Sequence, residues 1–348
     1  MTDISGQAVA TEEPKMLGPF LGHVTPHSIK IWLHLEGASD TIYVSVHPVE
    51  YVAPAEKFGT LKLLPEKLYT DCLTIDGLSP DTKYFYKLWT DAARSIPLAL
   101  QGLTEYDLHF RTMSDKADDQ IDFLMMSCHN PTVSEKDGFD GHAVWADIPQ
   151  IIAGESNKNV RFALLVGDQV YADDWQAKIL AESNTEARRR LYLSAYRKFW
   201  SNIHYRRVMC SLPAVMMWDD HDIVDGWGST MDSFLENSEE FKPEWKHLFD
   251  AAASTFGLMQ ASRNPTPLSD NPSGGFDCCF RIGKWGFVLL DLRTHRNLKQ
   301  GRLMRPDQFS RIKNWVDANK DEMHTLFVVS PVVFSHGSPV IDDVTASS

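Results

Sequence analysis

The chain of 348 residues is 43% hydrophobic and 23% charged, the composition of an ordinary globular protein, which excludes extended disorder and fibrous repeats. Its 47 aspartates and glutamates outnumber 34 lysines and arginines, and the net charge of −13 disfavours binding to nucleic acids and anionic membranes. No segment approaches the roughly 18 consecutive apolar residues of a membrane span. The length favours about two domains.

The first predicted domain, residues 15–113, is all β. Its β-rich runs are short and are separated by turn signals such as Asp76-Gly77, which is typical of an antiparallel immunoglobulin/fibronectin-like sandwich. The segment 78–86 resembles the corner of such sandwiches, where a tyrosine closes the loop before a core strand. A polar linker, 114–120, follows. The runs predicted to be strands are 28–33, 41–46, 69–73, 83–90 and 108–112.

Residues 121–348 are predicted to form an α/β domain with mixed sheets. The apolar runs 121–127 and 161–166 indicate strands that are buried on both faces. Gly283-Lys284 indicates the turn of a β-hairpin, and helical spacing recurs along this part of the chain. The other predicted strands are 214–218, 278–282, 285–290 and 325–330, and the predicted helices are 187–202, 243–263 and 306–320.

Side chains able to bind metals or anions follow four of the predicted strands. In open α/β sheets, ligands gather beyond the carboxyl ends of the strands. Carboxylates concentrated there repel one another unless cations offset their charge, and Asp, His and Tyr suit hard or borderline ions. Two ions ~3.5–4 Å apart form the clamp used in phosphoester hydrolysis. The four segments are Ser127-Cys128-His129-Asn130, Gly167-Asp168-Gln169-Val170-Tyr171-Ala172-Asp173-Asp174, Asp219-Asp220-His221-Asp222 and Asp291-Leu292-Arg293-Thr294-His295-Arg296.

Other enzyme classes lose their main support. A cysteine phosphatase needs Cys-x5-Arg, but Ser134 stands six residues after Cys128 and Met216 six after Cys210. The sequence also contains no Gly-x-Ser-x-Gly elbow, His-Glu-x-x-His helix, Walker loop or Gly-x-Gly-x-x-Gly turn. The five cysteines are irregularly spaced, which favours neither a disulfide framework nor a zinc module.

The strand-end segments resemble the motifs of PhoD-type alkaline phosphatases, a metallophosphoesterase family related to the calcineurin-like and purple acid phosphatases. Gly167-Asp168-Gln169-Val170-Tyr171-Ala172-Asp173 is similar to the family's Gly-Asp-x-x-Tyr-Ala-Asp, and Trp218-Asp219-Asp220-His221-Asp222 to its Trp-Asp-Asp-His-acid motif. Ser127-Cys128 matches an early Ser-Cys, and Leu290-Asp291-Leu292-Arg293 resembles Leu-Asp-x-Arg. The resemblance implies a layered αββα metallophosphatase domain after the β-domain, and a phosphatase or phosphodiesterase activity on phosphate-ester substrates through metal-activated water.

The resemblance also implies a ligand set for two or more metal ions. Asp168 would bridge the ions, and Tyr171 would be a phenolate ligand that favours Fe³⁺ at one site, with Ca²⁺, Mn²⁺ or Zn²⁺ beside it. Asp220 would bind the second ion. Cys128 would lie in or beside the ligand shell, with a small buried core thiol as the alternative.

Three further residues acquire roles in the reaction from the same resemblance. His221 would stay off the metal and donate a hydrogen bond to a phosphoryl or leaving-group oxygen. Arg293 and Arg296 would hold phosphate oxygens, or else form structural ion pairs with the acidic edge. Structural roles stay equally open for His129, Asn130, Asp173, Asp174 and Asp225.

One departure from the family concerns its late Gly-Asp-x-His element. Residues 326–348 offer only Ser335-His336-Gly337 and Asp342-Asp343, so we expect a domain that is C-terminally incomplete, shortened or completed by another chain. Two functions follow: a metal-dependent phosphoric ester hydrolase, or a non-catalytic binding or scaffold protein on a truncated phosphatase fold. An exposed sheet edge would permit a homo-oligomer in either case. The N-terminus lacks a basic and apolar leader, which favours the cytoplasm, with export after removal of a leader as the alternative.

Overall fold

The structure, a computed structural model, describes residues 15–37, 40–50, 56–116, 120–132, 141–154, 159–229, 235–237, 240–268, 274–297 and 300–333. The predictions about His336, Asp342 and Asp343 lie outside these residues. Within them, no helix combines the length and the apolar character needed to cross a membrane.

The N-terminal part folds into two antiparallel sheets that share one apolar core. Its described strands are β1 (Met16–Val24), β2 (Ser28–Leu35), β3 (Thr41–Pro48), β4 (Lys57–Lys62), β5 (Thr70–Asp76), β6 (Lys83–Trp89) and β7 (His109–Arg111). They are ordered β1-β2-β5 in one sheet and β4-β3-β6-β7 in the other. Side chains alternate between core and surface, as in β6, where Tyr84, Tyr86 and Leu88 are buried and Lys83 is exposed.

Five of these seven described strands match predicted runs, and β1 and β4 do not. Gly18-Pro19 interrupts the strand pattern of β1, because proline cannot donate a ladder hydrogen bond. The register of β1 against β2 shifts between Leu17 and Phe20, so a bulge absorbs the proline while both flanking side chains stay fully buried. β4 is a short strand at the edge of its sheet, and Gly59 weakens its pattern.

The second part contains two facing sheets, each of three described strands. Their strands are β8 (Asp122–Met126), β9 (Val160–Val166), β10 (Ala214–Met217), β13 (Cys278–Ile282), β14 (Trp285–Leu289) and β15 (Thr325–Val329), and a small pair, β11 (Leu235–Asn237) and β12 (Glu240–Phe241), lies between β10 and β13 along the chain. One sheet is parallel, ordered β10-β9-β8, and the other is mixed, ordered β13-β14-β15. Aromatic rings from both sheets meet between them, since the Phe287 ring of β14 lies 5.5 Å from the rings of Phe123 on β8 and Phe162 on β9.

Helices cover the outer face of each sheet. The described helices are α1 (Ala143–Ala153), α2 (Gln176–Ala181), α3 (Thr185–Trp200), α4 (Ile203–Met209), α5 (Pro243–Met259) and α6 (Pro306–Asn319). The outer side chains of β9 and β10 pack against Trp145, Leu193 and Val208 from helices α1, α3 and α4, whereas those of β13 and β14 pack against Ile312 and Trp315 of α6. The layers therefore follow the order helix, sheet, sheet, helix, as the αββα prediction requires.

The β-sheets of the N-terminal part pack directly on the parallel-sheet layer. Arg263 is fully buried, and its guanidinium lies over the rings of Phe20, Trp32 and Trp200, at 5.0 to 5.4 Å from their centroids. The Tyr86 hydroxyl donates to the carbonyl of Cys210 at 2.7 Å. The division of the chain at residues 114–120 stays a prediction, and 117–119 lie outside the described residues.

Candidate metal centre

The ends of two of the three parallel strands, β8 and β9, have unusual backbone conformations. Gly167, Asp168 and Cys128 have φ values of 81°, 53° and 60°, in the left-handed region that residues with a side chain rarely adopt. A Cβ on Gly167 would lie 2.5 Å from the Cβ of Asp219, so the ends of β9 and β10 approach too closely for any other residue. Backbone strain of this kind gathers at functional sites.

These strand ends bring the predicted metal ligands together. Carboxylate oxygens of Asp168, Asp219 and Asp220 lie within 4.8 Å of one another. The Cys128 Sγ lies 3.5 Å from Asp168 Oδ2, and Tyr171 is close enough for its hydroxyl and the Cys128 thiol to shift each other's pKa. The sequence reasoning did not assign Asp219 to the ligand set, although it directly precedes Asp220.

The carboxylates in this cluster destabilise one another's charged forms. Burial raises the pKa of Asp168 to about 6, and repulsion from Asp219 adds to the shift. Burial likewise raises the pKa of Asp219, although Arg293 opposes the change. Burial, followed by repulsion from Asp168, also raises the pKa of Tyr171. Carboxylate, thiol and phenol donors with unbalanced negative charge fit a bound cation.

His221 lies at the same edge and is held by a carboxylate. Its Nδ1 is 2.8 Å from Asp173 Oδ2, which makes Nδ1–H the donor, and its Nε2 is 3.9 Å from Asp225 Oδ1. The rings of His221 and Tyr171 lie 4.2 Å apart. Burial disfavours the imidazolium, but the hydrogen bond and attraction to Asp173, with attraction to Asp168, raise the pKa of His221 to about 9.

The two arginines predicted to hold phosphate differ in their partners. Arg293 is 4% exposed, and its guanidinium donates to Asp219 Oδ1, to Asp220 Oδ1 at 3.1 Å and to the Trp227 carbonyl at 2.5 Å. Arg296 packs its aliphatic stem on Gly228, and its buried Nε and Nη1 have no hydrogen-bond partner among the described residues. Arg293 therefore forms the ion pairs left open as an alternative, and Arg296 has free donors.

A buried carboxylate organises the site from beneath, and the sequence reasoning did not single it out. Asp222 is 1% exposed and accepts hydrogen bonds from the backbone N–H groups of Asp168 and Asp219, at 2.7 and 2.9 Å. It is the final acid of the segment Trp218–Asp222, which was the one signal available. Gln260 donates to Asp222 Oδ1 at 2.9 Å, and nothing in its sequence neighbourhood indicates this.

The residues whose roles stayed open mostly have structural contacts. His129 Nε2 donates to the Phe199 carbonyl at 3.0 Å, and its Nδ1 accepts from Trp145 Nε1 at 2.9 Å. Asp174 pairs with Lys198 at the surface, and Asn130 accepts from the Thr132 hydroxyl. By contrast, Asp173 and Asp225 lie at the site, on either side of His221.

Comparison with known proteins agrees with this architecture. A solved structure titled "Structure of PhoD" superposes with a TM-score of 0.63 at 15% sequence identity, over 92% of this chain and 63% of that chain. The uncharacterized protein YGR266W of Saccharomyces cerevisiae is 22% identical in an alignment of 202 residues that covers 46% of this chain and 28% of that protein. The chain thus spans less than two thirds of either relative's length.

The layered sheets and the superposition define a fold of the phosphatase type. The family model of the PhoD-like phosphatases matches residues 123–326, well over half of the chain. The chain belongs to the PhoD-like phosphatase family.

Proposed function

We propose that this chain hydrolyses phosphate esters with the help of bound metal ions. The observation that carries the proposal is the convergence of Asp168, Asp219 and Asp220 at adjoining strand ends. The unpaired N–H groups of Arg296 lie near enough for Asp219 and Asp220 to attract its guanidinium. An acidic cluster that binds cations next to a free guanidinium suits a phosphate ester, because the cations and the guanidinium both bind phosphoryl oxygens.

Cys128, Asp168, Tyr171 and Asp220 would hold the ions. Both oxygens of Asp220 accept hydrogen bonds, from Arg293 and from the Gly226 N–H at 2.9 Å, and each keeps a further lone pair for a cation. A phenol and a thiol beside carboxylates suit Fe³⁺ at one position and Ca²⁺, Mn²⁺ or Zn²⁺ at the other. When bound, the ions polarise phosphoryl oxygens and lower the pKa of water.

The other side chains would bind and orient the ester. The Arg296 Nε and Nη1 would donate to non-bridging phosphoryl oxygens. His221, oriented through Nδ1 by Asp173, would present Nε2 to the leaving-group oxygen and supply its proton. Arg293 would keep Asp219 and Asp220 in place without touching the substrate.

Metal analysis combined with hydrolysis of nitrophenyl phosphate and bis-nitrophenyl phosphate tests the proposal and separates monoesterase from diesterase activity. We expect the double variant Asp168→Ala, Asp220→Ala to lose bound metal and more than about 100-fold in kcat, because even the outer partners of ligands contribute 10–100-fold. Wild-type hydrolysis by the folded double variant would contradict the mechanism. A metal-free, inactive wild type would favour the scaffold function.

Leaving-group dependence tests the role of His221. In the variant His221→Asn, hydrolysis of an alkyl phosphate should slow roughly tenfold or more beyond the loss on nitrophenyl phosphate. The reason is that nitrophenolate departs without a proton, whereas an alkoxide leaving group needs one. The variant Arg296→Met should slow both substrates alike. Equal losses on the two esters in His221→Asn would exclude a proton donor at this position.

We also infer that residues 15–113 form an immunoglobulin/fibronectin-like domain, joined through 114–120 to the phosphatase domain. The three-plus-four division of the described strands supports this class. So does the hydrogen bond from the Ser79 N–H to the buried Tyr84 hydroxyl at 2.8 Å, which closes the corner before β6. Separate expression of 15–116 as a folded unit would support the division, and an unfolded product would oppose it.

A further inference from the structure

We infer that Asp222 and Gln260 are positioning residues that set the separation of the two acidic strand ends, and thereby the affinity of the site for metal. The inference rests on the proposed function for its consequence, metal binding, but its geometry stands on the hydrogen bonds of the chain itself. Neither side chain reaches the surface: Asp222 is 1% exposed and Gln260 is 0% exposed.

The carboxylate of Asp222 connects two strands. Its Oδ2 accepts from the N–H of Asp168, after β9, and from the N–H of Asp219, after β10, at 2.7 and 2.9 Å. Its Oδ1 accepts from the Gln169 N–H at 3.3 Å and from Gln260 Nε2 at 2.9 Å. One oxygen thus holds both backbone segments whose side chains form the acidic cluster.

These N–H groups need such an acceptor because the backbone turns at this point. The positive φ values of Gly167 and Asp168 end the ladder between β9 and β10, and a buried N–H without a partner costs about 1–3 kcal/mol. A carboxylate accepts on both oxygens, whereas an asparagine amide would direct its own N–H toward a backbone N–H. Aspartate therefore suits position 222 better than its isostere.

Gln260 anchors this carboxylate to the helical layer. It follows the last turn of α5, and its Nε2 donates both to Asp222 and to the Tyr196 hydroxyl of α3, at 3.1 Å. Two helices therefore restrain the Asp222 side chain from below. The hydrogen bonds of the Gln260 side chain among the described residues run to Asp222 and Tyr196 and to none of Asp168, Asp219 and Asp220, so we expect its effect on metal binding to act through Asp222.

The variant Gln260→Leu is the main test, and Asn264→Leu is its matched control. Asn264 is also buried, at 2% exposure, and its side chain makes two hydrogen bonds to the Met216 backbone in the middle of β10, at 2.8 and 2.5 Å. Both variants remove buried amide contacts to the same region and should lower the Tm. Only Gln260→Leu releases the strand ends.

We expect Gln260→Leu to bind Mn²⁺ about 10–100-fold more weakly by calorimetric titration, and Asn264→Leu to keep its affinity within about threefold. Equal losses in the two variants, or unchanged affinity in Gln260→Leu, would overturn the inference. A general loss of stability would move the Tm of both variants and the affinity of neither.

Amide hydrogen exchange on the metal-free chain provides a readout independent of catalysis. In Asp222→Asn, or in Gln260→Leu if the first variant does not fold, the amides of Asp168 and Asp219 should lose about tenfold in protection while that of Met216 keeps its own. Unchanged protection would contradict the positioning role. If the wild type shows these protected amides but binds no Mn²⁺, the proposed function fails and the hydrogen-bonding arrangement stands.

Discussion

At the scale of single residues, the site depends on backbone conformations that cost free energy. Cys128 and Asp168 adopt positive φ at the ends of neighbouring strands. This backbone conformation costs a residue with a side chain about 1–3 kcal/mol of folding free energy. In these conformations the two side chains lie close together, with the Sγ of Cys128 3.5 Å from the Oδ2 of Asp168. Gly167 permits this approach because it has no Cβ.

The variant Gly167→Ala should be strongly destabilised. Its Cβ would lie 2.5 Å from the Asp219 Cβ, and the residue would keep a φ of 81°. Overpacking and left-handed strain each cost about 1–3 kcal/mol, so we expect a loss of about 3 kcal/mol or more in the free energy of unfolding, measured with urea. Gly301→Ala is the control, since it shares a positive φ but meets no atom within 4 Å. Similar losses in both variants would assign the whole effect to φ.

Sequence patterns indicated which carboxylates come together better than they indicated the contacts beneath them. Strand-end position was enough to bring out Asp168 and Asp220, because the carboxyl ends of parallel strands share one edge. The difference between Arg293 and Arg296 could not be predicted, because it depends on which guanidinium reaches Asp219 after β14 packs against the parallel sheet. The role of Gln260 could not be predicted either, since its hydrogen-bond partner Asp222 is 38 residues away in the sequence.

At the scale of elements, continuous apolar runs predicted the central strands within one or two residues. Local rules failed where tertiary packing overrides them. In β1, Gly18-Pro19 interrupts the strand pattern, so the strand was not predicted. In α1, Pro149 lies within the helix, although proline in a helical pattern normally predicts a break. In both elements buried neighbours supply the stability, since Phe20 is 0% exposed and Trp145 is 3% exposed.

The aromatic layer between the two phosphatase-type sheets should carry much of their stability. Phe287 is fully buried and contacts four other rings at centroid distances of 4.8 to 5.5 Å. Phe287→Ala should lower the free energy of unfolding by about 3–5 kcal/mol, because it removes a large side chain and leaves a cavity. Phe309→Ala on α6 removes a side chain from a residue that is 60% exposed and should cost less than about 0.5 kcal/mol. Equal effects would mean that the sheets do not depend on this layer.

At the scale of the whole molecule, charge and stability are distributed unevenly. Part of the net charge of −13 is concentrated at Asp168, Asp219 and Asp220, where burial makes it costly. The junction between the β-sheets and α3 presents a different problem. There His34 is fully buried, with its Nδ1–H donating to the Leu68 carbonyl at 2.9 Å and its Nε2 accepting from Arg197 Nη2 at 3.1 Å. The bond from Arg197 requires the neutral imidazole, because the charged ring has no lone pair on Nε2 with which to accept it.

This junction should make the protein sensitive to acid. Burial lowers the pKa of His34 to about 4, and repulsion from Arg197 and Arg190 adds to the shift against the opposing attraction of Glu36. Between pH 6.5 and 4 the unfolded chain therefore binds a proton at His34 that the folded chain does not, so the free energy of unfolding falls as the pH falls, by at most about 3 kcal/mol.

Urea unfolding at several pH values from 7.5 to 4.5 measures this dependence against the variant His34→Gln, whose amide can donate to Leu68 and accept from Arg197 without titrating. We expect the variant to lose part of the slope, up to about 1 kcal/mol per pH unit. Some slope should remain, because burial also lowers the pKa values of His23 and His129 to about 4. An unchanged slope in His34→Gln would show that acid acts elsewhere, and a steeper one would mean that His34 is charged in the folded protein.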